Sequence, residues 1–252
     1  MGVPAGSFEI PVRFGPERMV RGLYFSFGIL YYERKKGVFF VNPKQSYYDK
    51  RGSILVKNLK SRHFDAWYFP TKEEALKKAL ELIPEGAAVG WGGCTTAEQI
   101  GLMDAVKSGP YTTIDRDKAQ SGEERIKMMK QALLAEVFIS GANALSLDGQ
   151  MVNIDGNGNR VAALVYGPDN VIIVAGMNKV EDTLEAAVTR AGTVAAPMNQ
   201  QRFPGNQTPC AVTGSCADCK SETCICNQML ITRNCRPAGR IKFIMIGEEL
   251  GF

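Results

Sequence analysis

Short, nearly continuous apolar runs separated by helix-patterned stretches constrain this chain more than any other feature. Ala87–Trp91, Val137–Ser140, Val171–Ala175 and Arg240–Ile246 are of this kind. Strands that are apolar on both faces belong inside a sheet covered by helices. The intervening stretches supply those helices. Thr71 heads a capping box completed by Glu74, and Ala75, Leu76, Ala79, Leu80 and Leu82 follow on one face until Pro84-Glu85-Gly86 stops the helix. Further helices are expected over Gln45–Arg62, from Gly92-Gly93 to Val106, over Glu123–Ala135 and over Val180–Arg190. Asp65–Phe69, Tyr111–Ile114 and Val161–Tyr166 are expected as additional strands, and Gly141–Ser146 with Gly149–Ile154 as a turn and hairpin. The sum is an α/β fold with a mixed, largely parallel sheet flanked by helices.

Residues 1–40 break this rhythm, with Gly2, Pro4, Gly6, Pro11, Gly15 and Pro16 interrupting any early element. Lys35-Lys36-Gly37-Val38 is encodable by a purine-rich run containing GGAG, and Val41 by the start codon GTG. The expectation is a natural start at residue 41, with 1–40 a poorly ordered extension; the alternative is a genuine arm or hairpin. The α/β domain is then expected over 41–252, with 203–239 a cysteine-rich segment inserted before the last strand.

Charge excludes some classes. The net charge is +4, and basic residues alternate with acidic ones, as in Lys72-Glu73-Glu74 before Lys77-Lys78. That is a solvated face and not a phosphate-tracking stripe, so no nucleic-acid partner is expected. No apolar run reaches the roughly 18 residues of a membrane span, so a cytoplasmic protein is expected. His63 is the single histidine, which rules out multi-histidine zinc sites. Its setting, Lys60-Ser61-Arg62-His63-Phe64, reads as a helix end, so a surface or C-capping role is favoured over catalysis.

In a reducing compartment seven cysteines do not read as disulfides. All but Cys94 lie between Cys210 and Cys235, spaced Cys210-x5-Cys216-x2-Cys219-x4-Cys224-x-Cys226. A C-x2-C pair with further thiols close by can place four thiolates on one ion or cluster. The expected ligands are Cys210, Cys216, Cys219 and Cys226, with Cys224 in reserve and Cys235 a core or surface thiol. Neither the ferredoxin run nor the doubled C-x2-C of zinc ribbons is present, so a 4Fe–4S cluster and zinc both stay open. The alternative is a set of unrelated buried thiols.

Three polar features sit where α/β sheets collect ligands, beyond the carboxyl ends of strands. Gly90-Trp91-Gly92-Gly93-Cys94-Thr95-Thr96 is a strand-to-helix turn whose backbone amides can approach an anion, and Thr95 or Thr96 can cap the helix or touch a ligand. It matches neither phosphate-loop nor dinucleotide fingerprints, so no nucleotide cofactor is implied. A tight packing turn is the bland alternative, with Cys94 a small filler instead of an activated thiol. Asn143, Asp148-Gly149 and Asn153-x-Asp155-Gly156-x-Gly158-Asn159-Arg160 give a hairpin with more Asn, Asp and Arg than turns need. Gly176-Met177-Asn178-Lys179 ends another strand, and Pro197-Met198-Asn199-Gln200-Gln201-Arg202 adds a last polar group.

Together Gly90–Gly93, Asn143-Ala144, Asp148-Gly149, Asn153–Arg160, Gly176–Lys179, Ala196-Pro197-x-Asn199 and the tail from Thr208 to Asn227 resemble the LUD, or lactate-utilisation domain, family, in its single-domain form with a C-terminal cysteine group. The match spans about residues 42–252, and Cys94 departs from the serine-like residue expected there. The resemblance implies a fold of the ribose-phosphate isomerase, glucosamine-phosphate isomerase and CoA-transferase type. It also implies a role in oxidising lactate to pyruvate alongside iron–sulfur partner subunits. On this reading a small anionic ligand sits near Gly92, Gly93, Thr95, Asn143, Gly156, Asn159, Asn178 and Asn199. Its carboxylate or phosphate pairs with Arg160 and Lys179, and Asp148, Asp155 or Lys179 handles protons. Alternatives are an isomerase or transferase acting on a phosphorylated or CoA-linked substrate with structural zinc, and a non-catalytic regulatory subunit. Self-association stays open.

Overall fold

The computed structural model describes residues 23–26, 29–34 and 37–252, with side chains described from Asn42 onward. It divides into two units, Met1–Lys50 and Arg51–Phe252. In the first, strands β1 (Leu23–Ser26), β2 (Ile29–Arg34) and β3 (Gly37–Val41) form an antiparallel meander. Helix α1 (Pro43–Ser61) begins there. Asn42 Oδ1 accepts from the Lys44 and Gln45 amides at 3.1 and 3.2 Å, and Pro43 takes the first helical position. The expectation of a start at residue 41 concerns a stretch lying largely outside the described residues.

The second unit is built on six parallel strands: β4 (Asp65–Phe69), β5 (Ala88–Trp91), β6 (Thr112–Ile114), β7 (Val137–Ser140), β10 (Asn170–Gly176) and β13 (Ile241–Ile246). Their order is β4-β13-β10-β7-β5-β6, every pair parallel. The apolar runs read from the sequence are the central strands. Their period of two fills both faces. Val137, Ile139, Ile172, Val174, Ile244 and Ile246 pack under α2 (Lys72–Glu81), α3 (Thr95–Gln99) and α4 (Leu102–Ser108). On the alternate positions Phe138, Ile173 and Phe243 are buried too, and Phe64 meets Phe243 edge-on with ring centres 5.1 Å apart.

A second sheet holds β8 (Ala144–Ser146), β9 (Met151–Asp155), β11 (Val180–Glu181) and β12 (Gln228–Thr232) in the order β11-β8-β9-β12. The hairpin expected at 141–154 is β8 and β9, which pair antiparallel. The cysteine-rich segment lies before β13, as expected. It also contributes a short helix and β12, whose antiparallel pairing with β9 the alternation of its side chains did not disclose. The remaining helices are α5 (Gly122–Gln131), α6 (Asn159–Tyr166), α7 (Leu184–Arg190), α8 (Ala196–Gln200) and α9 (Pro209–Thr213).

Three expectations are corrected. Val161–Tyr166 is helical, not a strand, because Asp155 Oδ2 accepts from the Arg160 and Val161 amides at 2.9 and 3.3 Å and starts α6 there. Ala163 and Leu164 are its buried face, while Val165 and Tyr166 are exposed. The helix expected up to Val106 splits in two at Gly101, whose φ of 78° is left-handed. The helix expected from Val180 begins only at Leu184: Val180 and Glu181 pair with β8, and Thr183 Oγ1 caps the Ala186 amide at 3.2 Å. His63 is exposed at a φ of 67° just past α1, in the helix-end setting read from its neighbours.

Arg240 holds the carboxyl end of α6. Its guanidinium is buried and donates to the carbonyls of Ala163, Leu164 and Pro168 at 2.7, 2.7 and 3.0 Å. An Arg240→Met variant loses these bonds and takes this donor from the Leu164 and Pro168 carbonyls, while the Ala163 carbonyl keeps the Gly167 amide at 3.1 Å. It is expected to cost about 2–4 kcal/mol, read as a lower urea midpoint with an unchanged denaturant slope.

Candidate functional site

The direction of successive crossovers reverses between β5 and β7. From β5 the chain steps outward to β6, and from β7 it steps the other way to β10. Strand ends splay at such a point and leave a crevice. A cavity of about 340 Å³ opens there. Gly92 and Gly93, at the end of β5, form one side. Gly141–Asn143, after β7, form the floor, and Asp155, Gly156, Asn159 and Arg160 close it from the second sheet.

Arg160 is the central group. Its Nη2 donates to Asn143 Oδ1 at 2.9 Å and to the Ile154 carbonyl, and Asn143 Oδ1 also accepts from the Ile154 amide at 3.0 Å. Asn143 is itself steadied by Arg190, whose Nη1 donates to its carbonyl at 2.7 Å. The Arg160 Nε and Nη1 make no hydrogen bond among the described residues. Gly92 is required here: a Cβ would stand 2.8 Å from Arg160 Cδ and 2.9 Å from Cγ. Burial pushes the Arg160 guanidinium below its ordinary range, against the pull of Asp155.

Lys179 is the second cation of the site and is buried, 4% exposed. Its Nζ donates to Thr96 Oγ1 at 3.1 Å, and Thr96 in turn donates to the Leu250 carbonyl at 3.3 Å. The backbone at Gly251 lies over both, since a Cβ there would come within 2.8 Å of Lys179 Nζ. Burial lowers the Lys179 pKa from 10.5 to about 8; the nearby Cys94 opposes this, and Arg190 and Arg160 add to it. No carboxylate pairs with Arg160 or Lys179 among the described residues.

The candidate residues do not all meet. Gly92, Gly93, Thr95, Asn143, Asp155, Gly156, Asn159, Arg160, Lys179 and Asn199 line the cavity. Asp148 lies outside it, in the turn between β8 and β9, where it pairs with Arg62 at 2.6 Å and accepts from Ser146 and Gln150. Its partial burial raises its pKa, and these partners outweigh that and lower it overall. Asp148 is therefore a turn anchor and not a base facing the cleft. Asn178 also lies outside, its Oδ1 accepting from the Leu250 amide at 3.1 Å, so it positions the segment over Lys179. Asp155 spends Oδ2 on the start of α6 and keeps Oδ1 without a hydrogen-bond partner among the described residues. Cys94 Sγ, not either threonine, accepts from the Ala97 amide at 3.4 Å and caps α3; burial raises its pKa, so it is a filler and cap.

Sequence reasoning missed three cations at the mouth, Arg116, Arg125 and Lys107, and carried a fourth, Arg202, only within a polar run. Arg116 and Arg125 come from the β6–α5 region, Lys107 from α4, and Arg202 from just beyond α8. Lys107 pairs with Asp115 at 3.4 Å and Arg125 with Asp117 at 2.8 Å. Arg116 and Arg202 have no carboxylate partner among the described residues. The signal was available: Arg116 follows the carboxyl end of a strand, as Gly92 does. A π-helical turn, Ala191–Ala195, leads into α8 and helps aim Asn199 and Arg202, and such turns leave little trace in sequence.

The cysteine segment borders this cleft. Ile225, between Cys224 and Cys226, lines the cavity, and a Cβ at Gly156 would stand 3.2 Å from Ile225 Cα. Asn227 Nδ2 donates to the Gly156 carbonyl at 3.0 Å. All seven cysteines are free thiols. Burial, then the negative charge of Cys224, Cys210 and Cys216, pushes the Cys226 thiol up to about 12. Thiols that oppose one another's ionisation are the donor chemistry that a thiophilic cation relieves. No three His, Cys, Asp or Glu side chains stand at ligating geometry among the described residues. Cys235 is apart from the others, buried, with its Sγ donating to the Pro237 carbonyl at 3.1 Å.

Fold and site together define an α/β protein with a cationic cleft at the reversal point of a parallel sheet. The family model described as "LUD domain" matches residues 53–246, and the chain belongs to that family. No curated protein matches the sequence. Among solved structures, a DUF162 family protein from Deinococcus radiodurans aligns at 11% identity and a TM-score of 0.44, covering 80% of this chain and 97% of that one. Ribose 5-phosphate isomerase A from Neisseria gonorrhoeae aligns at 20% identity and a TM-score of 0.29, covering 45% of this chain and 54% of that one.

Two predictions follow from the geometry. Gly92→Ala displaces the Arg160 side chain, so the anion affinity proposed below for this cleft is expected to fall about tenfold or more while circular dichroism stays native. For Lys179 the sign is set by burial. The unfolded chain binds more protons between the folded pKa of about 8 and the unfolded 10.5, so stability rises with pH across that window; below pH 8 the penalty is full and constant. Lys179→Met is therefore expected to be more stable than wild type at pH 7.5, by about 1–3 kcal/mol. The gap should narrow by pH 10. Chemical denaturation of both proteins at the two pH values checks this, and a less stable Met variant at pH 7.5 would contradict it.

Proposed function

We propose that this LUD-domain protein is a lactate-utilisation-type component that binds a small organic acid in the cleft beneath Gly92. The observation that carries the reading is two cations in one cleft, half-buried Arg160 and buried Lys179, neither in an ion pair with a carboxylate among the described residues, with Asp155 the one carboxylate whose charge acts on Arg160. A desolvated cation left unpaired is costly, and an anionic ligand repays that cost. Arg160 Nη2 is spent on Asn143 and the Ile154 carbonyl, while Nε and Nη1, on opposite edges of the planar group, each keep a donor for a single charge-assisted hydrogen bond to an anion. Lys179, hydrogen-bonded to Thr96, supplies a second charge for a 2-hydroxyl or 2-oxo oxygen and holds or releases a proton near pH 8. Asp155 Oδ1 is the remaining acceptor, and Asn143, Asn199 and Asn159 add neutral polar contacts.

The reading extends to the cysteines. Cys210, Cys216, Cys219 and Cys226, with Cys224 in reserve, would hold an iron–sulfur cluster or zinc. A cluster would carry electrons to or from iron–sulfur oxidoreductase partners; zinc would be structural. The soft donor set in one segment supports this assignment.

Calorimetric titration with L-lactate and pyruvate tests the first part. Millimolar or tighter binding is expected, weakening as pH rises through about 8, with Arg160→Gln abolishing it and preserving the fold. Absence of binding by either acid at pH 7 would remove the reading. Metal analysis after anaerobic purification tests the second part. Absorbance near 400 nm identifies a cluster, and one colourless zinc identifies a structural site. Cys216→Ser and Cys219→Ser should lose the metal and Cys235→Ser keep it, while metal-free wild-type protein would overturn the assignment.

A further inference from the structure

We propose that the ligand of this cleft carries an anionic group at each end: a short hydroxy- or oxo-acid bearing a phosphoryl group distal to its carboxylate. The inference rests on the organic-acid reading above and narrows its substrate class. Its basis is a second pair of cations separate from Arg160 and Lys179. A Cβ at Gly93 would stand 3.6 Å from Arg202 Nη1 and 3.7 Å from Arg116 Nη2. One tetrahedral group standing over the exposed Gly93 therefore reaches both guanidiniums.

Neither arginine is already spent. Arg202 makes no side-chain hydrogen bond or ion pair among the described residues. Arg116 Nε is buried with no hydrogen-bond partner, and the side chain is steadied by Asn159, whose amide oxygen accepts from Arg116 Nη1 at 2.9 Å in the orientation that satisfies its neighbours. Arg125 stands beside Arg116 and is itself committed to Asp117. Glu98, which is exposed, and Asp155, whose Oδ2 is spent on the start of α6, are the acidic side chains that line the cavity without an ion pair among the described residues. Gly92 backs onto Arg160 and the next residue, Gly93, onto Arg116 and Arg202, so the two cationic pairs flank one turn. A lone carboxylate satisfies the inner pair and leaves the outer one facing water. A phosphoryl group, with about two charges and three acceptor oxygens, matches two guanidiniums.

Calorimetry on the full chain at fixed ionic strength, with L-lactate, 3-phosphoglycerate and inorganic phosphate as probes, tests this. The phosphorylated acid is expected to bind at least about tenfold tighter than lactate. Arg202→Ala should weaken the phosphorylated acid at least fivefold more than lactate, with Arg202→Lys recovering part of the loss. Arg160→Gln should weaken both acids. Equal affinities for the two acids, or an Arg202→Ala effect equal on both, overturns the inference while leaving the organic-acid reading intact. Binding of phosphate alone, with the phosphorylated acid no tighter, also overturns it. If neither acid binds, the organic-acid reading fails first.

Discussion

Everything in the site depends on the contact between Gly92 and the Arg160 side chain. Gly92 ends a strand of the parallel sheet, while Arg160 opens a helix that leaves the smaller sheet. Their van der Waals contact, with no room for a Cβ between them, brings the two sheets to one cleft. Asn143 reinforces the join. It lies between β7 of the first sheet and β8 of the second, and its Oδ1 accepts from both Arg160 and the Ile154 amide. Asp155 fixes the other end of the same unit by starting α6 at Arg160. A guanidinium suits this duty because its rigid fork can spend one nitrogen on the protein and keep others for a ligand.

The electrostatics follow from that arrangement. Lys107 and Arg125 are paired with Asp115 and Asp117 and so are neutralised locally. Buried Lys179 makes no ion pair among the described residues. Lys179 is lowered to about 8 because burial, with Arg190 and Arg160 adding to it, outweighs the opposing influence of Cys94. This is a site that carries charge at a cost in stability, as functional sites do. The bulk of the unit can bear it, since the parallel sheet is buried on both faces by an uninterrupted aliphatic and aromatic core.

Much of this was legible in the sequence, for reasons that particular residues make plain. Asp65–Phe69 and Val137–Ser140 were readable to the residue because an apolar run bounded by polar or glycine positions has one solution in such a fold. The segment Val161–Tyr166 was not, because β-branched and aromatic residues favour strands locally. The decisive signal was Asp155, several residues upstream, capping a helix through a turn. The cleft was half legible. Gly92, Asn143 and Arg160 announce themselves as turn and polar residues at strand ends. Arg202 was visible only as part of a polar run, because its place depends on a π-helical turn in an alanine-rich stretch. Asp148 misled for the opposite reason: a carboxylate in a rich turn looks reactive until Arg62, from the turn after α1, is seen to pair with it.

The cysteine segment shares a wall with the cleft. Ile225 lines the cavity and sits against Gly156, next to the residue that caps α6, while the chain then runs into β12 and pairs with β9 through Asp155. Any change that draws Cys224 and Cys226 together moves the backbone of the residue between them. Gly156 has no side chain to absorb that movement, and the hydrogen bond from Asn227 to its carbonyl transmits it. The displacement would reach Asp155, and through Asp155 the amide and guanidinium of Arg160. The thiols and the cleft thus border one short, tightly packed stretch of chain.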